Sequence, residues 1–426
     1  MVGKIEKEIQ VGSRIKAVSG KKEYTGILLE SYESGILLIK LDSGYNVGLA
    51  KEDVTTIEVL KNPEAKKEKP GKLEARKDLP NIALITTGGT ISSRLDPATG
   101  GVSWLSSPHQ LVELSPQIKE ICNIATIETP FMLASENMSS REWIKLAKLS
   151  EKLLNNSEIS GIIITHGTDF LHYTSSALSF MLKNLNKPVI LTYSQRSTDR
   201  GSSDAVLNLV CSARAAASDI AEVMLVGHAS ENDDFCYAIQ GTKARKLHSS
   251  RRDAFKSINK EPIAKIFPDK IETLHPYKKR NNKNKTELDA VFNKNVALVK
   301  FFPGMKPEDI EHYSSNYDGI VIEAAGLGHL AIDEAENNLL PAIKKAIDNG
   351  LIICAAPQTI YGRLDPLVYS PGRKLMKTGV IFLQDMLAET ALVKLGWLLG
   401  HNYPKDEIKK LMLKNFSGEI NNRLEE

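Results

Sequence analysis

From Asn81 onward the chain alternates short β-branched apolar runs with longer stretches whose apolar residues recur every third or fourth position. Strands are expected at Ile82–Thr86, Gly161–Thr165, Val189–Thr192 and Glu222–Val226, with helices at Ser140–Leu154 and Phe170–Leu185. This rhythm leaves few options. A parallel sheet needs a crossover between strands, and the crossovers lay helices over both faces. A basic polar stretch, Lys278–Lys285, interrupts the pattern and reads as an exposed connecting loop. The pattern resumes with strands at Val296–Phe301, Gly319–Glu323 and Leu351–Ala355, and helices at Pro307–Ser314, Glu334–Asn349 and Gln384–Leu399. The tail from Asp406 reads as a charged amphipathic helix.

The front of the chain is different. Tyr24–Glu30, Gly35–Leu41, Tyr45–Leu49 and Val54–Leu60 are short runs rich in Ile, Leu and Val. Several strands this close together suggest a small β-barrel. Residues 61–78 carry almost no large apolar side chain and cannot build a core, so they read as a charged linker. The expected organisation is a β-barrel domain at 1–60, the linker at 61–78, a larger α/β domain at 79–275, a connecting loop at 276–295, and a smaller α/β domain with a C-terminal helix at 296–426.

Composition mainly excludes. Apolar content of 42% and charged content of 25% are those of a soluble globular protein, and 426 residues are too many for one core. A net charge of +3 does not by itself argue for nucleic acid. Cys122, Cys211, Cys236 and Cys354 are scattered without metal spacing, which suggests inert thiols in a reducing compartment. No stretch approaches the roughly 20 apolar residues of a membrane span. A cytoplasmic protein without membrane association is expected.

Two motifs carry the chemistry. Ile85-Thr86-Thr87-Gly88-Gly89-Thr90-Ile91 and Ile164-Thr165-His166-Gly167-Thr168-Asp169 both place glycine and threonine where a strand should end. In open parallel sheets, ligands bind beyond the carboxyl ends of the strands. Gly88, Gly89 and Gly167 let the backbone turn sharply and approach a ligand, leaving the hydroxyls of Thr90 and Thr168 at the bend. A hydroxyl is a weak nucleophile and needs a base or cation. A lysine held by a carboxylate can deprotonate a threonine, which gives Asp169 a part; its structural alternative is to cap the helix that follows. Loop N–H groups could stabilise an oxyanion.

Together these motifs resemble the two signatures of the bacterial-type L-asparaginase/glutaminase family, over about residues 80–400. Tyr317-Asp-Gly-Ile-Val-Ile-Glu-Ala-Ala-Gly-Leu-Gly-His329 extends the resemblance into the second domain. It implies an asparaginase-like two-domain α/β body with a parallel sheet. By position, Thr90 resembles the nucleophile, and Thr168, Lys246 and Asp169 resemble the second triad. Lys246 is assigned through Gly241-Thr-Lys-Ala-Arg-Lys-Leu-His248, where Lys243 is a neighbouring candidate. Ser135 and Glu136 resemble the pair that grips the substrate's α-amino and α-carboxyl groups, with Gly89 and Gly167 beside the substrate. Family members often place a tyrosine in the loop after the first motif. Here Ser92–Trp104 contains none and offers Asp96, Thr99 and Ser103. Nor does the second domain match the glutamate that supports this tyrosine, so activation of Thr90 would rest on a rearranged loop or a partner.

The β module and linker ahead of this body resemble the D-subunit family of archaeal glutamyl-tRNA(Gln) amidotransferases. That resemblance implies a glutaminase, an amidohydrolase component of a glutamine-hydrolysing, ATP-dependent carbon–nitrogen ligase. It implies a partner, the amidotransferase E-subunit, which uses ATP and Mg and contacts most of tRNA(Gln). It also implies no cofactor or metal on this chain, and a homodimer core within a heterotetramer. The absence of a G-x-x-x-x-G-K-[ST] run fits that division. A free-standing cytosolic L-asparaginase is the alternative.

Overall fold

A computed structural model of the chain describes residues 9–31, 33–43, 45–62, 75–95, 102–104, 109–113, 115–198 and 200–424. The expected linker falls mostly on residues 63–74, and Asp96 and Thr99 fall on 96–101, so both lie outside the described residues. The chain divides into two compact units, Met1–Lys72 with Ser93–Gln110, and Leu73–Ser92 with Leu111–Glu426.

The first unit contains a five-stranded antiparallel sheet: β1 (Arg14–Ser19), β2 (Lys22–Leu29), β3 (Ile36–Leu41), β4 (Asn46–Ala50) and β5 (Val54–Lys61), in the order β4-β3-β2-β1-β5. Four of these strands match the expected runs. β1 was not among them, because its Arg14, Lys16 and Ser19 break any apolar run; only Ile15 and Ala17, on one face, are fully buried. Ile15, Ala17, Leu28, Leu37, Ile39, Leu49 and Val54 form its core. The sheet is barrel-like in strand count and size. Among the described residues no ladder joins β4 to β5, so hydrogen bonding does not close the ring.

The second unit is built on an eight-stranded sheet. Its strands are β6 (Asn81–Thr86), which precedes the hairpin strands β7 (Ser93–Leu95) and β8 (Val102–Trp104) of the other unit, then β9 (Asn123–Glu128), β10 (Gly161–Thr165), the short β11 (Leu182–Lys183), β12 (Val189–Thr192), β13 (Val223–His228), β14 (Cys236–Gln240), the hairpin of β15 (Ala244–Lys246) and β16 (Phe255–Ser257), and the edge strands β17 (Ala264–Ile266) and β18 (Ile271–Thr273). The order is β18-β17-β14-β13-β12-β10-β6-β9. Strands β9, β6, β10, β12 and β13 are parallel, as expected; β14, β17 and β18 are antiparallel additions. The expected parallel sheet is there, and these additions make the whole a mixed sheet. The connections from β13 to β14 and from β17 to β18 are too short for a crossover helix and can only return the chain antiparallel, and the longer one from β14 to β17 is taken up by the β15–β16 hairpin.

Helices α1 (His109–Glu113), α2 (Ser140–Leu154), α3 (Leu171–Met181) and α4 (Ala205–Ala217) accompany these strands. Ser139 and Glu142 form a capping box at the start of α2, which fixes where the preceding turn ends. α3 stops earlier than expected because Leu182–Lys183 pairs with β19 (Glu287–Leu288). The smaller lobe has the parallel strands β20 (Val296–Lys300), β21 (Gly319–Ala324), β22 (Ile352–Pro357) and β23 (Ile381–Phe382), with helices α5 (Pro307–Asn316), α6 (Leu340–Asp348), α7 (Ser370–Thr378), α8 (Ala388–Leu399) and α9 (Lys405–Leu413). The expected helix from Glu334 begins only at Leu340. Pro341 is tolerated in a first turn but would break a helix interior.

Ile162, Ile163 and Ile164 are all buried, as a strand covered on both faces requires; each contributes about 1.5–3 kcal/mol. One core runs from Ile162 and Ile164 through α3 to α8, where Phe180 stacks on Trp397 at 5.6 Å, so the two lobes share an interior. Among the described residues no helix is long and apolar enough to cross a membrane.

Candidate active site

The ends of β6 and β10 lie side by side, with Thr86 opposite Thr165. Past that point Thr87 Oγ1 donates to the Thr165 carbonyl at 2.8 Å, pinning the first loop to the end of the second strand. Gly88 and Gly89 then adopt φ of +114° and +81°. A Cβ on Gly89 would fall 2.4 Å from the Gly167 Cα, and one on Gly88 2.5 Å from the Leu133 carbonyl oxygen. Only glycine permits this contact, so the two loops touch backbone to backbone. Thr90 follows at the start of a 3-10 turn, half-buried.

The second motif is equally constrained. Lys246 Nζ lies 2.8 Å from Thr168 Oγ1 and 2.7 Å from Asp169 Oδ1. Thr168 is buried and the Lys246 side chain is only 10% exposed, whereas the Asp169 side chain is 59% exposed. The ammonium therefore spans from a sheltered hydroxyl to a wet carboxylate. Asp169 does not cap α3, whose first turn has no side-chain cap. Lys243, the neighbouring candidate, is fully buried and engaged 2.6 Å from Asp385.

Ser135 is buried in a 3-10 turn beside Gly167, and its Oγ accepts from the Phe170 N–H at 3.3 Å. Glu136, next in that turn, is exposed. Thus Gly89, Gly167, Ser135, Thr168, Asp169 and Lys246 form one contiguous set, with Thr90 and Glu136 following Gly89 and Ser135 in the chain. Among the described residues no group of three or more His, Cys, Asp or Glu is placed to hold a metal ion.

His166 is structural. Its Nδ1 donates to the Gly167 carbonyl at 2.7 Å, and its Nε2 accepts from Thr174 Oγ1 at 2.9 Å. A carbonyl only accepts, so the ring is the neutral Nδ1–H tautomer. Burial pushes the pKa of His166 down to about 4 and that of His172 down to about 3. Both folded-state values lie below the unfolded value, so stability is full above pH 6.5 and is lost as pH falls toward 4 and 3. Each histidine should cost about 2 kcal/mol between pH 7 and pH 5. Urea unfolding at the two pH values checks this; a His172→Gln variant should show about half of the combined loss.

Sequence reasoning missed one neighbouring group. Arg245 Nε lies 3.0 Å from Glu389 Oε1, and its Nη2 lies 3.9 Å from Glu323 Oε1. Glu323 sits inside the quoted second-domain motif, and Arg245 beside Lys246, but nothing in their spacing announces that they meet.

Known proteins resemble this arrangement closely. The family model described as Asparaginase, N-terminal matches residues 81–279, and that described as Glutaminase/Asparaginase C-terminal domain matches residues 295–412. The GatD N-terminal domain matches residues 9–60. A solved structure, the thermostable L-asparaginase from Thermococcus kodakarensis, superposes with a TM-score of 0.70 at 31% identity, covering 80% of this chain and 99% of that one. The glutamyl-tRNA(Gln) amidotransferase D-subunit of Pyrococcus furiosus is 47% identical over 97% of this chain and 96% of its own length. Its counterpart from Thermococcus kodakarensis is 45% identical over 96% and 94%. Fold and site define an asparaginase-type amidohydrolase body. The likeness extends through the N-terminal sheet as well, and the chain belongs to the family of glutamyl-tRNA(Gln) amidotransferase D-subunits.

Proposed function

We propose that this chain is the glutaminase of a tRNA-dependent amidotransferase, supplying the ammonia that converts Glu-tRNA(Gln) to Gln-tRNA(Gln). The observation that carries the reading is the Thr168-Lys246-Asp169 contact, set against the paired glycines that precede Thr90 and Thr168.

Thr90 is the nucleophile. Its oxygen attacks the glutamine amide carbon and gives up its proton, which the amide nitrogen takes as the carbon–nitrogen bond breaks and ammonia leaves. Water then hydrolyses the threonyl ester to glutamate. Lys246, oriented by Asp169, moves the proton of Thr168. Backbone N–H groups of the two glycine loops are the donors for the oxyanion. Ser135 and Glu136 hold the α-amino and α-carboxyl ends of the substrate. Ammonia passes to a partner, the amidotransferase E-subunit, which uses ATP and Mg to activate the glutamate on tRNA and makes most of the tRNA contact. This chain carries no cofactor of its own and works in the cytoplasm. Two copies form a homodimer core within a heterotetramer, and the exposed Ile360, Tyr361, Leu367, Val368 and Tyr369 offer apolar surface for such contacts.

Free-standing asparagine hydrolysis is a second reading, favoured by the solved L-asparaginase. Kinetics separate the two. Glutamine hydrolysis should be slow in the isolated chain and rise at least tenfold with partner, ATP and Glu-tRNA(Gln). Rapid asparagine turnover by the chain alone, unchanged by those additions, would overturn the amidotransferase reading.

A further inference from the structure

Lys246 is only as well placed as the ribbon that carries it. β15 and β16 pair through three residues each, Ala244 with Ser257, Arg245 with Lys256, and Lys246 with Phe255. So short a hairpin has little stability of its own and takes its position from what it touches. Successive strand side chains point to opposite faces, so Lys246 and Arg245 reach in different directions. Lys246 meets Thr168 and Asp169 of the larger lobe. Arg245 meets Glu389, in the first turn of α8, and Glu323, near the end of β21, both in the smaller lobe.

This contact is sheltered. The Arg245 side chain is 20% exposed, and those of Glu323 and Glu389 are 11% and 9%. Glu389 Oε2 is buried and unpartnered among the described residues, so this carboxylate is satisfied mainly through Arg245. Burial raises the Glu323 pKa, with the Glu389 charge adding to the rise while Lys300 and Arg245 oppose it. A guanidinium between two such carboxylates is held firmly, because losing it would strand buried charge.

We infer that Arg245 is a positioning residue, clamping β15 to the smaller lobe through Glu389 and Glu323 so that the Lys246 ammonium stays in reach of the Thr168 hydroxyl. The inference rests on the reading of Lys246 as the relay lysine. Its physical basis is that a flexible four-carbon stem reaches a reactive geometry only from a fixed root, and that a misplacement near 1 Å costs on the order of 10²-fold in rate.

The test uses the full chain and two variants. Arg245→Met leaves Glu389 charged and alone, so loss of fold is one foreseeable result. The triple variant Arg245→Met/Glu323→Gln/Glu389→Gln removes the guanidinium together with both carboxylates it faces and is expected to restore stability. In that variant kcat should fall at least tenfold with KM within twofold of the parent, on whichever of glutamine and asparagine the parent hydrolyses. Its crystal structure should show Lys246 Nζ more than 3.5 Å from Thr168 Oγ1, beyond hydrogen-bond reach. A kcat within twofold of the parent would overturn the inference, as would a lysine still hydrogen-bonded to Thr168. A parent that hydrolyses neither amide counts against the amidase reading alone, and the crystal comparison still decides the role of Arg245.

Discussion

Thr90→Ala is expected to remove glutamine hydrolysis by a factor of about 10⁴ or more, the scale seen when an acyl-transfer nucleophile is deleted. The fold should be unaffected. The tight backbone of this loop is set by Gly88, Gly89 and the Thr87 hydroxyl, none of which is changed. Substrate capture should also persist, since Ser135 and Glu136 sit on a different turn. In the complex, conversion of Glu-tRNA(Gln) with free ammonia should continue at the parental rate while conversion with glutamine stops. Ammonia-release assays with both nitrogen sources read the two directly. If Thr90→Ala retained glutamine hydrolysis, the nucleophile would have to be Thr168. Thr90→Ser should keep measurable activity because it preserves the hydroxyl.

The second large effect concerns the C-terminal tail. Lys394, in the middle of α8, is fully buried and donates to the Met412 and Lys414 carbonyls at 2.9 and 2.6 Å and to Glu419 Oε1 at 2.7 Å. Glu419, equally buried, also accepts from the N–H groups of Phe416 and Ser417. One lysine thus fastens the end of α9 and the following turn to α8. Lys394→Met leaves a buried carboxylate without its cation and two carbonyls without a donor, and should cost about 3–5 kcal/mol. Total stability of a folded unit is about 5–15 kcal/mol, so the loss is a large part of the whole. Lys394→Met/Glu419→Gln removes the stranded charge and should recover much of it. Urea unfolding should show a lower midpoint for the single variant with an unchanged slope. A single variant within 1 kcal/mol of the parent would contradict this account of the buckle. Because α8 also carries Glu389, the single variant should lose activity along with stability.

Much of the fold was legible because its signals are local. The run Gly161–Thr165 reads as a doubly covered strand from its isoleucines alone, and β10 has those same bounds. The glycine pair of the first motif announces a bend, and the bend is there. The mixed sheet was not legible. β14, β17 and β18 are short, and nothing in Cys236–Gln240 says it will lie antiparallel against β13 rather than start another crossover. Likewise β1 hid behind its charged face, and the helix expected from Glu334 overran the region that Pro341 allows.

The site divides the same way. The sequence alone determined which hydroxyls stand at strand ends, because glycine and threonine must be adjacent in the chain to make that turn. The assignment of Lys246 came through the family resemblance, with Lys243, three residues away in the same stretch, as the neighbouring candidate. Tertiary structure gives the two different partners. Lys243 faces inward and is neutralised by Asp385, 142 positions away, while Lys246 faces Thr168 and Asp169. It also decided that Arg245 would meet Glu323 and Glu389. Partners this far apart in the chain are selected by how two lobes pack around one core, and no local pattern of residues encodes that distance.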